Sequence, residues 1–267
     1  MDLGFAGARA AVTGGTKGMG RAIAMCLADE GAEVAVLARS QPELDETVEA
    51  LLAAGAPDAF GVATDVTSNQ EISDAFTAVS ARWGSLNAMI NTVGPGAGRF
   101  EDLADDDWDA TFALGFMSMV RCNRAALPLL RRAEWARIVN ISAHSIQRQS
   151  PLIVAYTAAK SALASVSKNL AKSLAPEGIL VNTVSPGTFV TASFSEGLRT
   201  MFEAESLDPT DPVDVMTWID THFHQPADLG RAGLPEEIAA VVTFLASRRN
   251  SYMTGANINV DGGSDFI

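Results

Sequence analysis

Two kinds of hydrophobic pattern alternate along the chain. Short runs of consecutive apolar residues, bounded by turn residues, predict buried strands over 8–13, 33–38, 59–64, 86–92, 137–142, 180–185 and 256–260. Between them apolar positions recur every three or four residues, which predicts amphipathic helices over 18–30, 42–54, 69–83, 106–132, 152–174 and 235–247. In the first helix Ile23, Cys26 and Leu27 mark the apolar face. Strand and helix in regular alternation imply βαβ units with right-handed crossovers. The expected fold class is therefore α/β: a doubly wound parallel sheet of about seven strands with helices on both faces. Such a sheet binds ligands outside the carboxyl ends of its strands. Residues 192–230 break the alternation with Pro209, Pro212 and Pro226 and two short helical patterns, and read as an insertion after the sixth strand of a single domain.

Composition narrows the class. The 267 residues are 48% hydrophobic and 19% charged, which excludes a disordered chain. No apolar run approaches the roughly 18 residues that span a bilayer. The first residues have an early Asp2 and no basic stretch, so no signal peptide is expected. Only Cys26 and Cys122 occur, both in predicted helices, which argues against a disulfide framework and for a cytoplasmic location. The net charge of −13 disfavours nucleic acid and anionic membrane as partners and leaves a small-molecule substrate. That charge is local: residues 101–109 hold six acids and no base, and residues 192–230 hold eight acids against Arg199 alone. The remainder of the chain is balanced.

The turn Thr13-Gly14-Gly15-Thr16-Lys17-Gly18-Met19-Gly20 follows a predicted strand and opens a helix. Glycines there let the backbone approach a pyrophosphate, whose charge the helix N-terminal amides then hold. A site for NAD(H) places a carboxylate at the end of the second strand to bind the ribose hydroxyls. Here Ala38 stands in that place and Arg39 follows, with Lys17 nearby in the first turn. Two bases and no acid suit a 2′-phosphate, so NADP(H) is favoured over NAD(H). Asp65 and Val66 end the third strand, where Asp65 either accepts from an adenine amine or closes a turn.

Tyr156 and Lys160 lie four apart in a predicted helix and so share a face. A neighbouring ammonium stabilises a phenolate, bringing a tyrosine toward neutral pH as an acid/base. Together with the Gly-rich turn, this pair resembles the short-chain dehydrogenase/reductase family, in its compact branch of 3-oxoacyl-carrier-protein reductase-like members. The resemblance extends to Asn91-Thr92-Val93-Gly94, to Ser185-Pro186-Gly187 followed by Thr191, to residues 231–237, and to residues 254–263. It implies a Rossmann-like fold and a homo-oligomer, tetramer or dimer. It implies Tyr156 as the acid/base at the substrate oxygen and Lys160 as its cationic partner and holder of the nicotinamide ribose. By the same resemblance Asn91 braces the sheet and, with Gly94, Pro186, Gly187, Phe189 and Thr191, joins Gly14, Thr16, Lys17, Gly18, Met19 and Gly20 along the cofactor.

Two departures from the family pattern stand out. The active serine normally lies 13 residues before the tyrosine, and that position is Ala143. The helix asparagine normally lies seven residues after a tryptophan, and Trp108 leads to Gly115. Strand alternation would put Ser145 on the same side as Ala143, with Ser142 and His144 opposite. Ser145 is therefore assigned the missing donor role, with Ser142 as the alternative. His144 is a donor only if the chain has already left the strand. Losing such a donor reduces rates by about 10²–10³.

The expected function is an NADP(H)-dependent oxidoreductase moving hydride between nicotinamide and a carbonyl/alcohol pair. Phe194, Leu198, Met201, Phe202, Val215, Met216, Trp218 and Phe223 make residues 192–230 an apolar lid suited to a hydrophobic or ring-containing ketone, or to a fatty acyl chain on a carrier. The alternative is a dinucleotide-binding pseudoenzyme with a regulatory or scaffold role. Enoyl reduction fits less well, because the better-known enoyl variant separates its tyrosine and lysine more widely. Asp105, Asp106 and Asp107 complement a helix dipole, and His222 and His224 lack a cysteine neighbour, so no metal site is expected.

Overall fold

An apolar run of strand residues must be covered on both faces, and two separate cores do so here. The computed structural model describes residues 2–264. Its strands are β1 (Arg9–Thr13), β2 (Glu33–Ala38), β3 (Ala59–Ala63), β4 (Ala88–Asn91), β5 (Ala136–Ile141), β6 (Ile179–Pro186) and β7 (Asn257–Val260). All pair in parallel, in the order β3-β2-β1-β4-β5-β6-β7. The order reverses between β1 and β4, and this opens a crevice at their carboxyl ends.

Alternation along each strand sends neighbours to opposite cores. Val34 and Val36 of β2 join Val12, Ile90 and Val139 under α1 (Gly18–Asp29), α2 (Gln41–Ala53) and a C-terminal helix, Pro235–Ala246. Ala35 and Leu37 join Met89, Ile138 and Val181 under α3 (Asn69–Trp83), Ser118–Leu130 and Val154–Leu174. Fully buried Ile23, Leu27, Leu44 and Leu51 fill the first core, each stabilising the fold by about 1.5–3 kcal/mol.

The predicted helix over 106–132 is three pieces. α4 (Asp105–Phe112) runs into a wider π-helical stretch, Ala113–Met117, before α5 (Ser118–Leu130). Gly115 lies in the middle of the wide stretch, tightly packed. A Cβ there would lie 2.8 Å from Pro95 Cγ and 3.1 Å from Ala159 Cβ. The chain widens where the Pro95 ring presses on the bare backbone, a distortion often found beside functional sites. α6 (Val154–Leu174) starts two residues later than predicted, because Ile153 pairs with Gly98 in an isolated bridge and is not helical.

Residues 192–230 form α7 (Ala192–Ala204) and α8 (Pro212–Phe223), ahead of α9 (Pro235–Ala246). Thr191 caps α7 by accepting from the Phe194 amide, and Asp211 caps α8 by accepting from Val213 and Asp214. The two helices build a third core from Phe202, Val215, Met216, Trp218 and Ile219, with Phe202 and Trp218 stacked at 5.1 Å between centroids.

A polar chain crosses the second core. Asn91 Nδ2 donates to Asn123 Oδ1 and Asn140 Oδ1, both at 2.8 Å, and Asn140 Nδ2 donates to Ser167 Oγ at 2.9 Å. β4, β5, α5 and α6 are thereby fixed beneath the crevice. Each buried group left without its partner costs about 1–3 kcal/mol. Asn140→Ala is expected to destabilise the protein by about 2–4 kcal/mol, lowering the thermal midpoint by roughly 5–10 °C in a calorimetric scan.

Candidate active site

The crevice begins at the turn after β1. Gly14 and Gly18 take φ values of +65° and +50°, which side-chain-bearing residues rarely adopt. Gly20 serves a different need: a Cβ there would lie 2.3 Å from the Gly14 carbonyl oxygen. Thr92 ties the end of β4 to this turn, its hydroxyl donating to the Thr13 carbonyl. α1 starts after Lys17 with no side-chain cap and no acid in its first turn. Its first amides are thus available to an anion, with the helix dipole behind them.

Beside this turn lies a cavity of about 590 Å³ lined by Gly14, Thr16, Lys17, Arg39, Ser40, Asp65, Val66 and Gly94, among others. The residues fit a dinucleotide: bare backbone for the pyrophosphate and bases at the far end. Ala38 leaves no acid at the tip of β2. Arg39 is exposed and has no hydrogen bond or ion pair among the described residues.

Sequence reasoning missed one residue here. Glu43, third in α2, also lines the cavity. Its carboxylate pairs with Lys17 Nζ at 2.8 Å and accepts from Thr16 Oγ1 at 3.2 Å. The hydrogen bond with Lys17 holds the Glu43 carboxyl below its ordinary range and raises the Lys17 ammonium. The signal was an acid in the first turn of the next helix, outside the strand-end position that motifs examine. Asp65 closes a turn, its Oδ1 accepting from the Thr67 amide at 2.8 Å and hydroxyl at 2.7 Å. Those bonds keep its carboxyl below the usual range.

A second cavity, about 270 Å³, lies across the crevice and is lined by Met19, Pro95, Ala143, His144, Ser145, Ile153, Tyr156, Pro186, Gly187, Thr188, Phe194, Ile219, Phe223 and Gln225. Tyr156 reaches it from the first turn of α6. One turn on, Lys160 is 1% exposed and donates to the Ile141 carbonyl at 2.8 Å and the Val93 carbonyl at 3.1 Å. Gly94 separates the two side chains. A Cβ at Gly94 would stand 3.8 Å from Lys160 Nζ and 3.9 Å from Tyr156 Cε2. Burial dominates the titration of both groups. It pushes the Tyr156 phenol up to about 12 and the Lys160 ammonium down to about 8. Desolvation, which opposes the phenolate, outweighs the expected lowering of Tyr156 toward neutrality.

The strand-alternation argument does not survive past β5. β5 ends at Ile141, and after the extended Ala143 the chain turns into a 3-10 helix, His144–Ile146. Ser142 is turned away from the cavity, its hydroxyl donating to the Lys160 carbonyl at 3.0 Å. Ser145 reaches the cavity from the 3-10 turn rather than from the strand. Its Oγ accepts from Thr157 Oγ1 at 3.0 Å, and its own proton has no acceptor among the described residues. His144 Nδ1 lies 3.1 Å from the Pro186 carbonyl. A carbonyl only accepts, so Nδ1 carries a proton and spends it on Pro186.

Three further expectations shift. Asn91 is buried in the polar chain beneath the crevice and lines neither cavity. Phe189 is 7% exposed and packs on Gly233, where a Cβ would lie 2.5 Å from its ring, so its side chain belongs to the core and lines neither cavity. Thr191 spends its hydroxyl on the α7 cap and packs its methyl against Gly18. Pro186, Gly187 and Met19 do line the second cavity, as Gly14, Thr16, Lys17, Asp65, Val66 and Gly94 line the first.

Comparison with known proteins agrees with this geometry. Residues 14–265 match a family model described as enoyl-(acyl carrier protein) reductase. The chain is 30% identical over 261 residues to dehydrogenase/reductase SDR family member 4 of Caenorhabditis elegans, covering 97% of this chain and 95% of that protein. It is 30% identical over 267 residues to the 3-oxoacyl-acyl-carrier-protein reductase FabG of Aquifex aeolicus, covering 98% and 99%. Among solved structures, L-sorbose reductase from Gluconobacter frateurii, complexed with NADPH and L-sorbose, superposes with a TM-score of 0.93 at 27% identity over the whole of both chains. An actinorhodin polyketide ketoreductase variant with NADPH gives 0.86 at 29% identity, covering 98% of each. With a Gly-rich cradle, a Tyr156–Lys160 pair over the same crevice and relatives matched end to end, the chain belongs to the short-chain dehydrogenase/reductase family of oxidoreductases.

Proposed function

We propose that the protein is an NADP(H)-dependent reductase acting on a compact, largely apolar ketone. The observation that carries this reading is that Tyr156 and Ser145 line one small apolar cavity, next to a nucleotide cavity holding Lys17 and Arg39. When bound, the dinucleotide supplies the hydride. The α1 amides and the bare Gly14–Gly20 turn hold its pyrophosphate, Lys17 and Arg39 meet the 2′-phosphate, and the remaining Asp65 oxygen accepts from the adenine amine.

At the other end Tyr156 gives its proton to the substrate oxygen. A phenol pushed up to about 12 stays protonated at neutral pH, which suits the reductive direction. Lys160 uses its third N–H on the nicotinamide ribose, and its charge stabilises the phenolate left behind. Ser145 donates to the same substrate oxygen, replacing the hydroxyl missing at Ala143. Thr157 already donates to Ser145 Oγ, which polarises the Ser145 O–H for donation. His144 Nδ1 cannot take this role, since its proton is spent on the Pro186 carbonyl.

Residues 192–230 act as the lid, with Phe194, Ile219 and Phe223 forming the substrate wall. Ile153 and Pro95 complete an apolar enclosure about the size of a ring ketone. Eight acids in the lid oppose an anionic substrate, which disfavours an acyl chain on an acidic carrier. The four-residue Tyr156–Lys160 spacing favours carbonyl over enoyl reduction.

Kinetics of single variants separate the two serines. Ser145→Ala is expected to lower kcat by about 10²–10³, while Ser142→Ala lowers it less than about fivefold and chiefly reduces stability. A silent Ser145→Ala with an impaired Ser142→Ala reverses the assignment.

Dependence on pH follows from Lys160. Its cation is retained below about 8 and lost as pH rises through that value, whereas Tyr156 remains protonated throughout. The pH profile of kcat/KM for NADPH, which reports the uncomplexed enzyme, should be flat at lower pH and fall above about 8. Lys160→Arg should remove that fall.

A panel of neutral ketones and sugars tests the substrate class. Cyclic and aryl ketones should be turned over best, and Tyr156→Phe should lose about 10²–10⁴ in rate while still binding NADPH. Preference for polar sugars would sink the apolar reading. Binding of NADPH with no turnover by the unaltered protein would assign it a partner-directed role instead.

A further inference from the structure

The nucleotide cavity contains a carboxylate for which the reading so far has no use. Glu43 is the third residue of α2, and an acid there complements the helix dipole wherever its side chain points. It does more than that. One oxygen of its carboxylate takes the Lys17 ammonium at 2.8 Å and the other takes the Thr16 hydroxyl at 3.2 Å. Both partners line the same cavity, and dipole complementation requires neither bond.

We propose that Glu43 is a selectivity residue that limits the preference for a 2′-phosphate-bearing dinucleotide by competing with the phosphate for Lys17. This deepens the reading that Lys17 and Arg39 meet that phosphate. Of the two bases only Arg39 makes no hydrogen bond or ion pair among the described residues, although its charge acts on Glu43 and Asp65. A phosphate entering the cavity must share the Lys17 ammonium with Glu43 or draw it away. The pair is solvent-exposed, with side-chain exposures of 59% and 36%, so it is held weakly and the exchange is accessible. The carboxylate remains tethered to the first turn of α2, however, beside a group carrying nearly two negative charges. A phosphate-bearing ligand therefore weakens an ion pair and gains a like-charge neighbour. A ligand with a 2′-hydroxyl meets neither opposition, and its hydroxyl can donate to Glu43. The result is a cavity with an NADPH-type base pair whose discrimination is held below what Lys17 and Arg39 alone would give.

The experiment compares dissociation constants of NADPH, NADH and 2′,5′-ADP for the unaltered protein and for Glu43→Gln, which keeps the side-chain length and the bond to Thr16. Fluorescence titration or calorimetry reads binding without turnover. The ratio of the NADH constant to the NADPH constant should rise about five- to tenfold, and 2′,5′-ADP should bind more tightly by a similar factor. Both gains should shrink as salt is raised. Glu43→Asp keeps the helix-terminal charge but draws the carboxylate back from Lys17, so it should move the ratio in the same direction by less. An unchanged or lowered ratio in Glu43→Gln overturns the proposal, because Glu43 would then only position Lys17 or serve its helix. Lys17→Gln in the same assay tests the underlying reading separately. If it leaves NADPH binding unchanged, the assignment of the phosphate site fails on its own account.

Discussion

A lysine with 1% of its surface exposed must have its ammonium satisfied, and the way Lys160 is satisfied organises the whole site. Its two acceptors come from different strands, the Ile141 carbonyl at the end of β5 and the Val93 carbonyl just beyond β4. The cation therefore draws together the tips of β4 and β5, next to the point between β1 and β4 where the sheet order reverses. Its own backbone is held in return, since the Lys160 carbonyl accepts from Ser142. Tyr156, one turn earlier on the same helix, is placed by this clamp. The polar chain of Asn91, Asn123, Asn140 and Ser167 carries the same constraint deeper, fixing α5 and α6 against β4 and β5. Burying so much polar matter is tolerable because nearly every group in it has a partner.

Two positions where the family resemblance calls for a polar side chain, Gly115 and Ala143, carry none. At Gly115 the Pro95 ring lies close to the bare backbone, in the same stretch that is wound as a π-helix. Ala143 offers no hydroxyl to the cavity, and under the proposed function Ser145 supplies one. The chain turns sharply after Ala143, so Ser145 arrives at the cavity on a tight turn, with Thr157 behind it.

The pattern of buried and exposed positions was enough to read most of the architecture. Strand limits agree within two residues or so, and β2 shows why: every second side chain enters a different core, so a continuous apolar run was the only workable pattern. Tyr156, Lys160 and the Gly14–Gly20 turn were legible because short-range spacing sets their geometry. What escaped depends on contacts between segments far apart in the chain. Nothing near Gly115 announces that Pro95 will press on it. Glu43 reads as an ordinary helix-terminal acid until the turn at Thr16 and Lys17 is brought against it. Phe189 and Asn91 look like site residues by motif position, yet packing turns both away from the cavities.

The stacked Phe202–Trp218 cluster has an implication beyond packing. It is a third core, separate from the two that cover the sheet, and it belongs almost wholly to residues 192–230. Side chains that build the cavity wall, such as Phe194 and Ile219, are rooted in that small core. Replacing them draws on the stability of α7 and α8 and leaves Ile23, Leu27 and Met89 untouched. Substrate choice and sheet integrity are thus separately heritable, and a lineage with this scaffold can exchange one without endangering the other.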